Sequence, residues 1–306
     1  MSDPRILVLG SVNVDLVVQG ENLPALGETV IGGDFFQAAG GKGANQAVAA
    51  ARLTGNPVVF IAAVGDDAFG SQVLQGFRSE NMMTDYIRVI SRMPTGIALI
   101  MVNRAGENCI SVASGANLCL SVDDVERVPE AVFSSAKVFL TNLESPPEVV
   151  ARALARAKAH HLTTILNPAP ASQRIFDSAI LAHVDILTPN ETEAHDLTGV
   201  NVGDAATAIR AAKILRQQGF PAVIVTLGAA GSVVVTEEAK RIDATVVRAI
   251  DTTAAGDAYN GALAAALSEE LSLEDAAGWA SRAAAISVTR SGAQPSLAFR
   301  SEMDSY

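Results

Sequence analysis

Residues 251–257 (Asp-Thr-Thr-Ala-Ala-Gly-Asp) combine a run of small side chains with a carboxylate at each end. The small residues Ala254, Ala255 and Gly256 let backbone N–H groups approach a phosphate closely. A helix predicted to begin there adds aligned donors and the positive end of its dipole. Asp257 stands where a general base accepts the proton of a hydroxyl that attacks a phosphate. The segment is therefore typical of a phosphoryl-transfer site.

Residues 40–45 (Gly-Gly-Lys-Gly-Ala-Asn) form a second glycine-rich turn, which runs directly into a helical pattern. They differ from a P-loop, which needs a glycine where Phe36 stands and Ser or Thr where Gly43 stands. The turn instead permits close backbone approach to a small polar ligand, with Asn45 and Lys42 as donors. A plain helix start is the alternative interpretation.

Asn13 and Asp15 lie at the end of the first predicted strand. They are two residues apart, so both side chains point to one face of the strand. An amide and a carboxylate together donate to and accept from neighbouring hydroxyls, which suits a sugar, although the pair also fits an ordinary turn. Glu144 follows another predicted strand and is a weaker candidate, because loop glutamates are usually solvated.

Two further turns follow predicted strands in the second half of the chain. Asn190 and Glu193 open a helix there. They suit a capping pair and equally suit residues that organise Mg²⁺ and phosphate through water. Thr226, Gly228 and Gly231 form a glycine turn whose donors suit a nucleotide, although such turns are more often structural.

Composition limits the classes of protein to consider. The 306 residues are 49% hydrophobic and only 5% aromatic, which suits helices packed on a parallel sheet in one large domain. A net charge of −11 argues against a nucleic-acid or anionic-membrane surface. We find no apolar stretch of about 18 residues and predict no membrane insertion. Cys109 and Cys119 have no metal or redox spacing, which favours a reducing compartment such as the cytoplasm.

Strand-like and helical patterns alternate along most of the chain, which predicts βαβ units and a central, mostly parallel sheet. The predicted strands are Ile6–Leu9, Val58–Ala63, Lys137–Leu140, Thr163–Leu166, Val184–Leu187 and Ala222–Thr226. The predicted helices are Asn45–Leu53, Ser71–Glu80, Pro147–His160, Ala205–Gln218 and Asp257–Glu270. Two regions, about 15–39 and 93–114, contain short strand patterns without helices. We predict that they form a small antiparallel sheet that acts as a lid.

Residues 40–47 and 251–257 have the order and spacing of two sequence signatures, through which the chain resembles the ribokinase-like carbohydrate kinases of the PfkB family. The resemblance extends over essentially the whole length. It implies a single α/β domain over residues 1–306. The implied fold is a ribokinase-like three-layer α/β/α sandwich with a mostly parallel central sheet and a small inserted β-sheet lid. Ala254 stands where the common family pattern has glycine. This difference leaves the implied anion hole, the group of donors that surrounds the phosphoryl group, intact, because those donors are backbone N–H groups.

The resemblance implies ATP-dependent phosphorylation of D-ribose at its 5-hydroxyl, with Asp257 as the base. The N–H groups of Ala254, Ala255 and Gly256 would surround the transferring phosphoryl group, where each donor typically contributes about 3 to 4 kcal/mol. Because an ordinary aspartate has a pKa of about 3.9, we expect Asp257 to be ionised at neutral pH and to act through its position. By resemblance, the sugar-binding residues are Asn13, Asp15, Gly41, Lys42, Asn45, Glu144 and Asp257.

The resemblance also assigns residues to ATP, Mg²⁺ and K⁺. The nucleotide residues are Asn190, Glu193, Thr226, Gly228, Gly231, Gly256 and Ser281. Asn190 and Glu193 also belong to the magnesium network, and Ser281 departs from the larger polar residue expected at the adenine pocket. The implied K⁺ site is built mostly from backbone carbonyls, and the ion would order the loop without touching ATP. Its residues are Asp251, Thr253, Ser287, Arg290, Gly292 and Ser296.

Several alternatives stay open. A related kinase would act on 2-deoxyribose, a fructose derivative or adenosine, although an Asn13 side chain that bonds a 2-hydroxyl favours ribose. A sugar-binding regulator needs no base, so Asp257 argues against it. The lack of G-x-G-x-x-G after the first strand argues against a dinucleotide-binding oxidoreductase. A lid with an uncovered apolar face favours a homodimer through paired lids.

Overall fold

The structure, a computed structural model, describes residues 5–305, which form fourteen strands and ten α-helices. The strands are β1 (Ile6–Leu9), β2 (Asn13–Gln19), β3 (Asp34–Gly40), β4 (Val58–Gly65), β5 (Met82–Met83), β6 (Ile87–Ile90), β7 (Gly96–Val102), β8 (Asn108–Ala113), β9 (Val138–Asn142), β10 (Thr163–Asn167), β11 (Ile186–Leu187), β12 (Ala222–Thr226), β13 (Ser232–Val235) and β14 (Ala239–Ile242). The helices are α1 (Lys42–Leu53), α2 (Ala68–Ser79), α3 (Val122–Glu126), α4 (Glu130–Ser135), α5 (Pro147–Ala159), α6 (Ser178–Leu181), α7 (Glu191–Thr198), α8 (Ala205–Gln217), α9 (Ala255–Ser268) and α10 (Leu273–Ser287).

A ten-stranded sheet forms the middle layer, in the order β14-β13-β12-β11-β10-β9-β1-β4-β5, with β6 also paired to β4. Its pairs are parallel except β12–β13 and β13–β14. β1 and β4 are continuous apolar runs and fully buried, because helices cover both faces of the sheet. One core includes residues of α1, α9 and α10, and the other includes residues of α5 and α8. The predicted three-layer α/β/α architecture with a mostly parallel sheet is confirmed.

A second sheet has the strand order β3-β2-β7-β8. It is mixed, because β2 pairs antiparallel with β3 but parallel with β7. The prediction of an antiparallel sheet is therefore wrong. Between β3 and β7 the chain passes through α1, β4, α2, β5 and β6, and this long crossover allows the parallel pairing. Several apolar side chains of the sheet are exposed, namely Val18, Phe35, Phe36, Leu99, Met101, Ile110 and Val112.

Helix starts differ from the predicted positions for local reasons. α1 begins at Lys42 rather than Asn45, directly after Gly41 turns the chain with φ of 88°. α2 begins at Ala68, three residues earlier than predicted, because the Asp67 side chain accepts an N–H of the first turn. Because α1 begins directly after Gly41, the glycine turn is continuous with this helix.

β11 is shorter than the predicted strand Val184–Leu187. The carboxylate of Asp185 accepts the N–H of Thr164 at 2.9 Å. This N–H of β10 is therefore bonded to a side chain and not to the backbone of β11. The hairpin of β13 and β14 was not predicted, and it adds an antiparallel edge to the sheet.

No helix within residues 5–305 is long and apolar enough to cross a bilayer.

α1 and α9 pack closely because their contact surface is built from small residues. A Cβ atom on Gly261 of α9 would lie 2.5 Å from both the Cβ of Ala49 and the carbonyl oxygen of Gln46. At the start of α1, a Cβ on Gly43 would lie 2.4 Å from the carbonyl carbon of Gly10. The Gly261 contact holds α9 against α1, and the Gly43 contact holds the start of α1 against the residue that follows β1.

Substitution of Gly261 tests this packing. Gly261→Ala should lower the free energy of unfolding by about 1 to 3 kcal/mol, because the added methyl group has no room between the helices. Gly278→Ala on α10 is the matched control, since no neighbouring atom lies within 4 Å of its Cβ position. The control should be neutral or stabilising by about 0.5 to 1 kcal/mol. Equal stabilities in denaturant unfolding would contradict the packing described here.

Candidate active site

Asp257 lies in the first turn of α9, and its side chain is buried against the first turn of α1. Its Oδ2 accepts a hydrogen bond from Nδ2 of Asn45, and its Oδ1 accepts one from Nε2 of Gln46, each at 3.0 Å. Burial raises the pKa of Asp257 to about 6, although Lys42 and the two amide donors act in the opposite direction. The expected ordinary pKa is therefore wrong, but the carboxylate still ionises below neutral pH.

Further carboxylates and one ammonium group lie near Asp257. Burial, together with repulsion from Glu144 and Asp257, raises the pKa of Asp15 to about 6. Burial lowers the pKa of Lys42, but attraction to Asp257, Glu144 and Glu193 outweighs this effect, so the net pKa is raised. Lys42 is therefore a firmly protonated cation within a group of carboxylates.

Glu144 is tied directly to the glycine turn. Its Oε2 accepts hydrogen bonds from the Ser11 hydroxyl and from the backbone N–H of Lys42. The Ser11 hydroxyl in turn accepts the N–H of Gly43 at 3.3 Å. The structure thus brings Glu144, a weak sugar-site candidate in the sequence, into contact with the glycine turn at residues 40–45. It also adds Ser11, which no sequence motif indicated.

Asn117 fixes the orientation of the Asn13 side chain. The Asn117 Oδ1 accepts the N–H of Val12, and its Nδ2 donates to the Val12 carbonyl and to Oδ1 of Asn13, at 2.8, 3.0 and 2.9 Å. Because a backbone N–H only donates and a carbonyl only accepts, the Asn117 amide has one consistent orientation. Asn13 therefore turns its oxygen to Asn117 and keeps its NH₂ group as a donor for another partner. Asn117 lies in a short 3₁₀ helix far along the chain, and no sequence motif indicated it.

A polar cavity of about 220 Å³ opens beside Asp257. Its lining residues are Lys42, Asn167, Thr188, Asn190, Glu193, Thr226, Thr252, Ala254, Ala255, Gly256, Asp257 and Asn260. Four of the predicted nucleotide residues are in this set, whereas Gly228, Gly231 and Ser281 are not. Asn167 was missed in the sequence, although it ends the parallel strand β10, and such strand ends commonly carry ligand-binding residues.

The predicted nucleotide residues also have structural roles. Asn190 and Glu193 form a reciprocal capping box at the start of α7, so the capping interpretation is correct. Burial raises the pKa of Glu193. Gly231 has φ of 88°, and a Cβ there would lie 2.1 Å from the carbonyl oxygen of Ile242, which explains the glycine without a ligand. Ser281 is buried within α10.

The turn before α9 has an unusual backbone. Ala254 adopts the left-handed conformation, with φ of 59°, which a residue with a Cβ atom rarely adopts. The N–H of Ala255 donates to the Thr252 carbonyl at 3.2 Å. The hydrogen bond to Thr252 must therefore break before the Ala255 N–H can donate fully to a bound anion.

Four of the predicted K⁺ residues, Asp251, Thr253, Arg290 and Gly292, lie on two loops that hydrogen bonds join, whereas Ser287 ends α10 and Ser296 lies in a 3₁₀ helix. The Asp251 carboxylate accepts the N–H groups of Thr253 and Gly292, at 2.9 and 2.8 Å. The N–H groups of Ile250 and Asp251 donate to the Val288 carbonyl. Residues 250–253 and 288–292 are therefore adjacent, which fits a site made from carbonyl oxygens of both loops.

Comparison with known proteins identifies the family. A model of the pfkB family of carbohydrate kinases matches residues 3–299. The chain belongs to this family. It is 44% identical to the ribokinase of Haemophilus influenzae over 298 residues, which cover 97% of this chain and 96% of that protein. It is 35% identical to a deoxyribokinase of Salmonella typhi over 302 residues, 98% of each chain.

Solved structures of the carbohydrate kinases agree with this assignment. The structure of Arabidopsis thaliana ribokinase complexed with ribose and ATP is similar, with a TM-score of 0.87 and 31% identity. The similarity covers 99% of this chain and 98% of that one. The chain is therefore a sugar kinase in family and in fold.

The pKa of Asp15 leads to a prediction about stability. The folded pKa lies above that of an unfolded aspartate, so the folded state favours the protonated form and loses stability as pH rises through about 6. Asp15→Asn should therefore be more stable than the original chain at pH 8, by about 1 to 2 kcal/mol, and the advantage should disappear below pH 4. Denaturant unfolding at both pH values measures this. Asp34→Asn, at an exposed position on β3, is the control, and an equal effect of both substitutions would contradict the prediction.

Proposed function

We propose that this chain transfers the γ-phosphoryl group of ATP to the 5-hydroxyl of D-ribose, giving D-ribose 5-phosphate and ADP. The observation that carries the proposal is the buried Asp257 carboxylate, held by two amide donors beside a polar cavity at the start of α9. The similar proteins named ribokinase support the sugar, and the Arabidopsis structure complexed with ribose and ATP supports both substrates.

In the proposed mechanism, ribose lies between β2 and the glycine turn. Asp15 accepts hydrogen bonds from sugar hydroxyls, and Asn13 donates through the NH₂ group that Asn117 leaves available. The remaining sugar contacts come from Gly41, Lys42, Asn45 and Glu144. This mixture of donors and acceptors discriminates strongly, because a missing hydroxyl leaves a buried polar group unpaired.

Asp257 accepts the proton of the 5-hydroxyl as that oxygen attacks the γ-phosphate, and ADP leaves. Negative charge on the transferring group is stabilised by backbone N–H groups of Ala254, Ala255 and Gly256 at the N-terminus of α9. Lys42, which lines the cavity, provides the nearby positive charge. Ala255 takes part once its N–H has turned away from Thr252.

Asn190, Glu193, Thr226 and Gly256 line the cavity, and we assign them to the phosphates of ATP. Of these, Asn190 and Glu193 are also assigned to the magnesium network. Asn190 and Glu193 would hold Mg²⁺ through water, and the ion would neutralise phosphate charge there. Gly228, Gly231 and Ser281 are assigned to the rest of the nucleotide. For K⁺ we propose a site where residues 250–253 meet residues 288–292. Its ligands would be oxygens of Asp251, Thr253, Ser287, Arg290, Gly292 and Ser296.

A kinase for 2-deoxyribose is the second candidate, because a deoxyribokinase is similar over 98% of the chain. The donor orientation of Asn13 favours a sugar that has the 2-hydroxyl. The exposed apolar side chains of the second sheet support a lid that pairs with a second copy in a homodimer. Cys109 and Cys119 are free thiols, which supports a cytoplasmic location.

The substrate is tested by measuring ADP formation from ATP and Mg²⁺ with D-ribose, 2-deoxyribose, fructose, fructose 6-phosphate and adenosine. The proposal expects turnover on D-ribose to exceed that on every other acceptor. A preference for 2-deoxyribose would retain the mechanism and replace the sugar, whereas no turnover on any acceptor would reject the kinase activity.

Replacing the proposed base separates catalysis from binding. Asp257→Asn should lower kcat by about 100-fold or more, because the variant cannot accept the hydroxyl proton. Ribose and ATP should still bind, which calorimetry checks. In the unmodified enzyme, kcat should decline as pH falls through about 6, where Asp257 becomes protonated. Near-normal turnover of Asp257→Asn would show that another group is the base.

The proposed K⁺ site predicts a dependence on monovalent cations. Turnover in K⁺ should be severalfold higher than turnover at the same ionic strength in tetramethylammonium, which is too large to be coordinated by loop carbonyls. Steady-state rates in the two salts check this. Equal rates would remove the cation from the mechanism.

A further inference from the structure

A buried chain of hydrogen bonds runs from the proposed base to the backbone of the proposed anion hole. Gln46 Nε2 donates to Oδ1 of Asp257 and to Oδ1 of Asn167, each at 3.0 Å. The Asn167 Nδ2 donates to the Thr188 carbonyl at 3.0 Å. The Thr188 hydroxyl donates to Oδ1 of Asn260 at 2.6 Å.

The chain closes on α9 itself. Asn260 Nδ2 donates to the Gly256 carbonyl at 2.8 Å, one residue before Asp257. Gln46 is completely buried, and Asn167, Thr188 and Asn260 are nearly so. The chain therefore links the first turns of α1 and α9 to the ends of β10 and β11.

Each amide in the chain has one permitted orientation. The Thr188 carbonyl only accepts, so Asn167 must turn its NH₂ group towards it and its oxygen towards Gln46. Gln46 must then present its own NH₂ group to Asn167, and the same group reaches Asp257. A reversed Gln46 would bring its oxygen against the oxygens of both neighbours.

An unpaired atom supports a functional reason for this arrangement. The Oε1 of Gln46 is buried without a hydrogen-bond partner, which is unfavourable for folding. In the same arrangement, both Gln46 N–H groups point at acceptor oxygens. An apolar side chain of similar size would avoid the unpaired oxygen, but it would leave Asp257 without a donor on Oδ1.

We propose that Gln46 is a positioning residue for the phosphoryl-transfer reaction, which holds the Asp257 carboxylate ionised and correctly turned, and that Asn167 acts on the base through Gln46. This inference rests on the proposed function of Asp257 as the base. Charged groups also act on Asp257 from other elements, namely Asp15 on β2, Lys42 on α1, Glu144 after β9 and Glu193 on α7. None of these groups changes when Gln46 or Asn167 is replaced by an apolar residue.

The test compares Gln46→Met with the unmodified enzyme. Loss of the donor should raise the pKa of Asp257, so the acid limb of the kcat profile should move to higher pH by about one unit. At pH 7, kcat should fall at least about tenfold, because both ionisation and orientation are impaired, while KM for ribose should change far less. Gln217→Met, at an exposed position on α8, is the matched control and should leave kcat, KM and the acid limb unchanged.

A double-mutant cycle tests the route through Asn167. Asn167→Leu should shift the acid limb in the same direction as Gln46→Met, and it should add no further shift in the Gln46→Met background. Equal shifts of Asn167→Leu in both backgrounds would overturn the route. If Gln46→Met does not fold, an unshifted limb in Asn167→Leu alone would also overturn it.

Carboxyl ¹³C titration of Asp257 in the unliganded protein separates this inference from the proposed function, because it needs no turnover. The signal is assigned by its loss in Asp257→Asn. A raised pKa in Gln46→Met supports the part of the inference that concerns the hold of Gln46 on the Asp257 carboxylate, and it does so even if no sugar is phosphorylated and the proposed function fails. An unchanged pKa and acid limb, or a change confined to KM for ribose, would overturn the inference.

Discussion

The side chain of Asp257 is buried where the first turns of α1 and α9 meet, and a carboxylate in such a place needs a hydrogen-bond donor on each oxygen. Asn45 and Gln46 meet this need only because the two helices approach closely. The approach depends on small residues, above all Gly261, where a methyl group would collide with α1. The same alanine-rich packing that forms the core thus sets the position of the proposed base.

Several acidic groups share this region, and Lys42 faces three of them. The raised pKa values of Asp15 and Asp257 express an electrostatic cost that folding must offset, as is common where a site is organised for chemistry. Ala254 adds backbone strain at the N-terminus of α9. In return, the site offers a partly desolvated carboxylate next to backbone donors, in a chain whose net charge would otherwise repel phosphate.

The sequence was sufficient for the central parallel strands of the large sheet, because apolar runs such as β1 and β4 have no alternative to burial between helices. It also indicated Asp257, Asn45 and Glu144, since glycine turns and strand ends mark ligand sites locally. It could not show that β2 pairs parallel with β7, because that pairing depends on a long crossover. Asn117 escaped, and Gln46 was seen only as part of the signature at residues 40–47, because each acts on a residue that lies elsewhere in the chain. Pairing across such distances leaves no short motif.

One measurement tests most directly the claim that Asp257 directs phosphoryl transfer to the terminal hydroxyl of ribose. D-ribose labelled with ¹³C at carbon 5 is incubated with the enzyme, ATP and Mg²⁺, and the product is examined by ¹³C NMR. We predict that the carbon 5 signal becomes split by coupling to phosphorus. A phosphorylated product with an unsplit carbon 5 signal, and coupling at another carbon, would contradict the proposed arrangement of sugar and base.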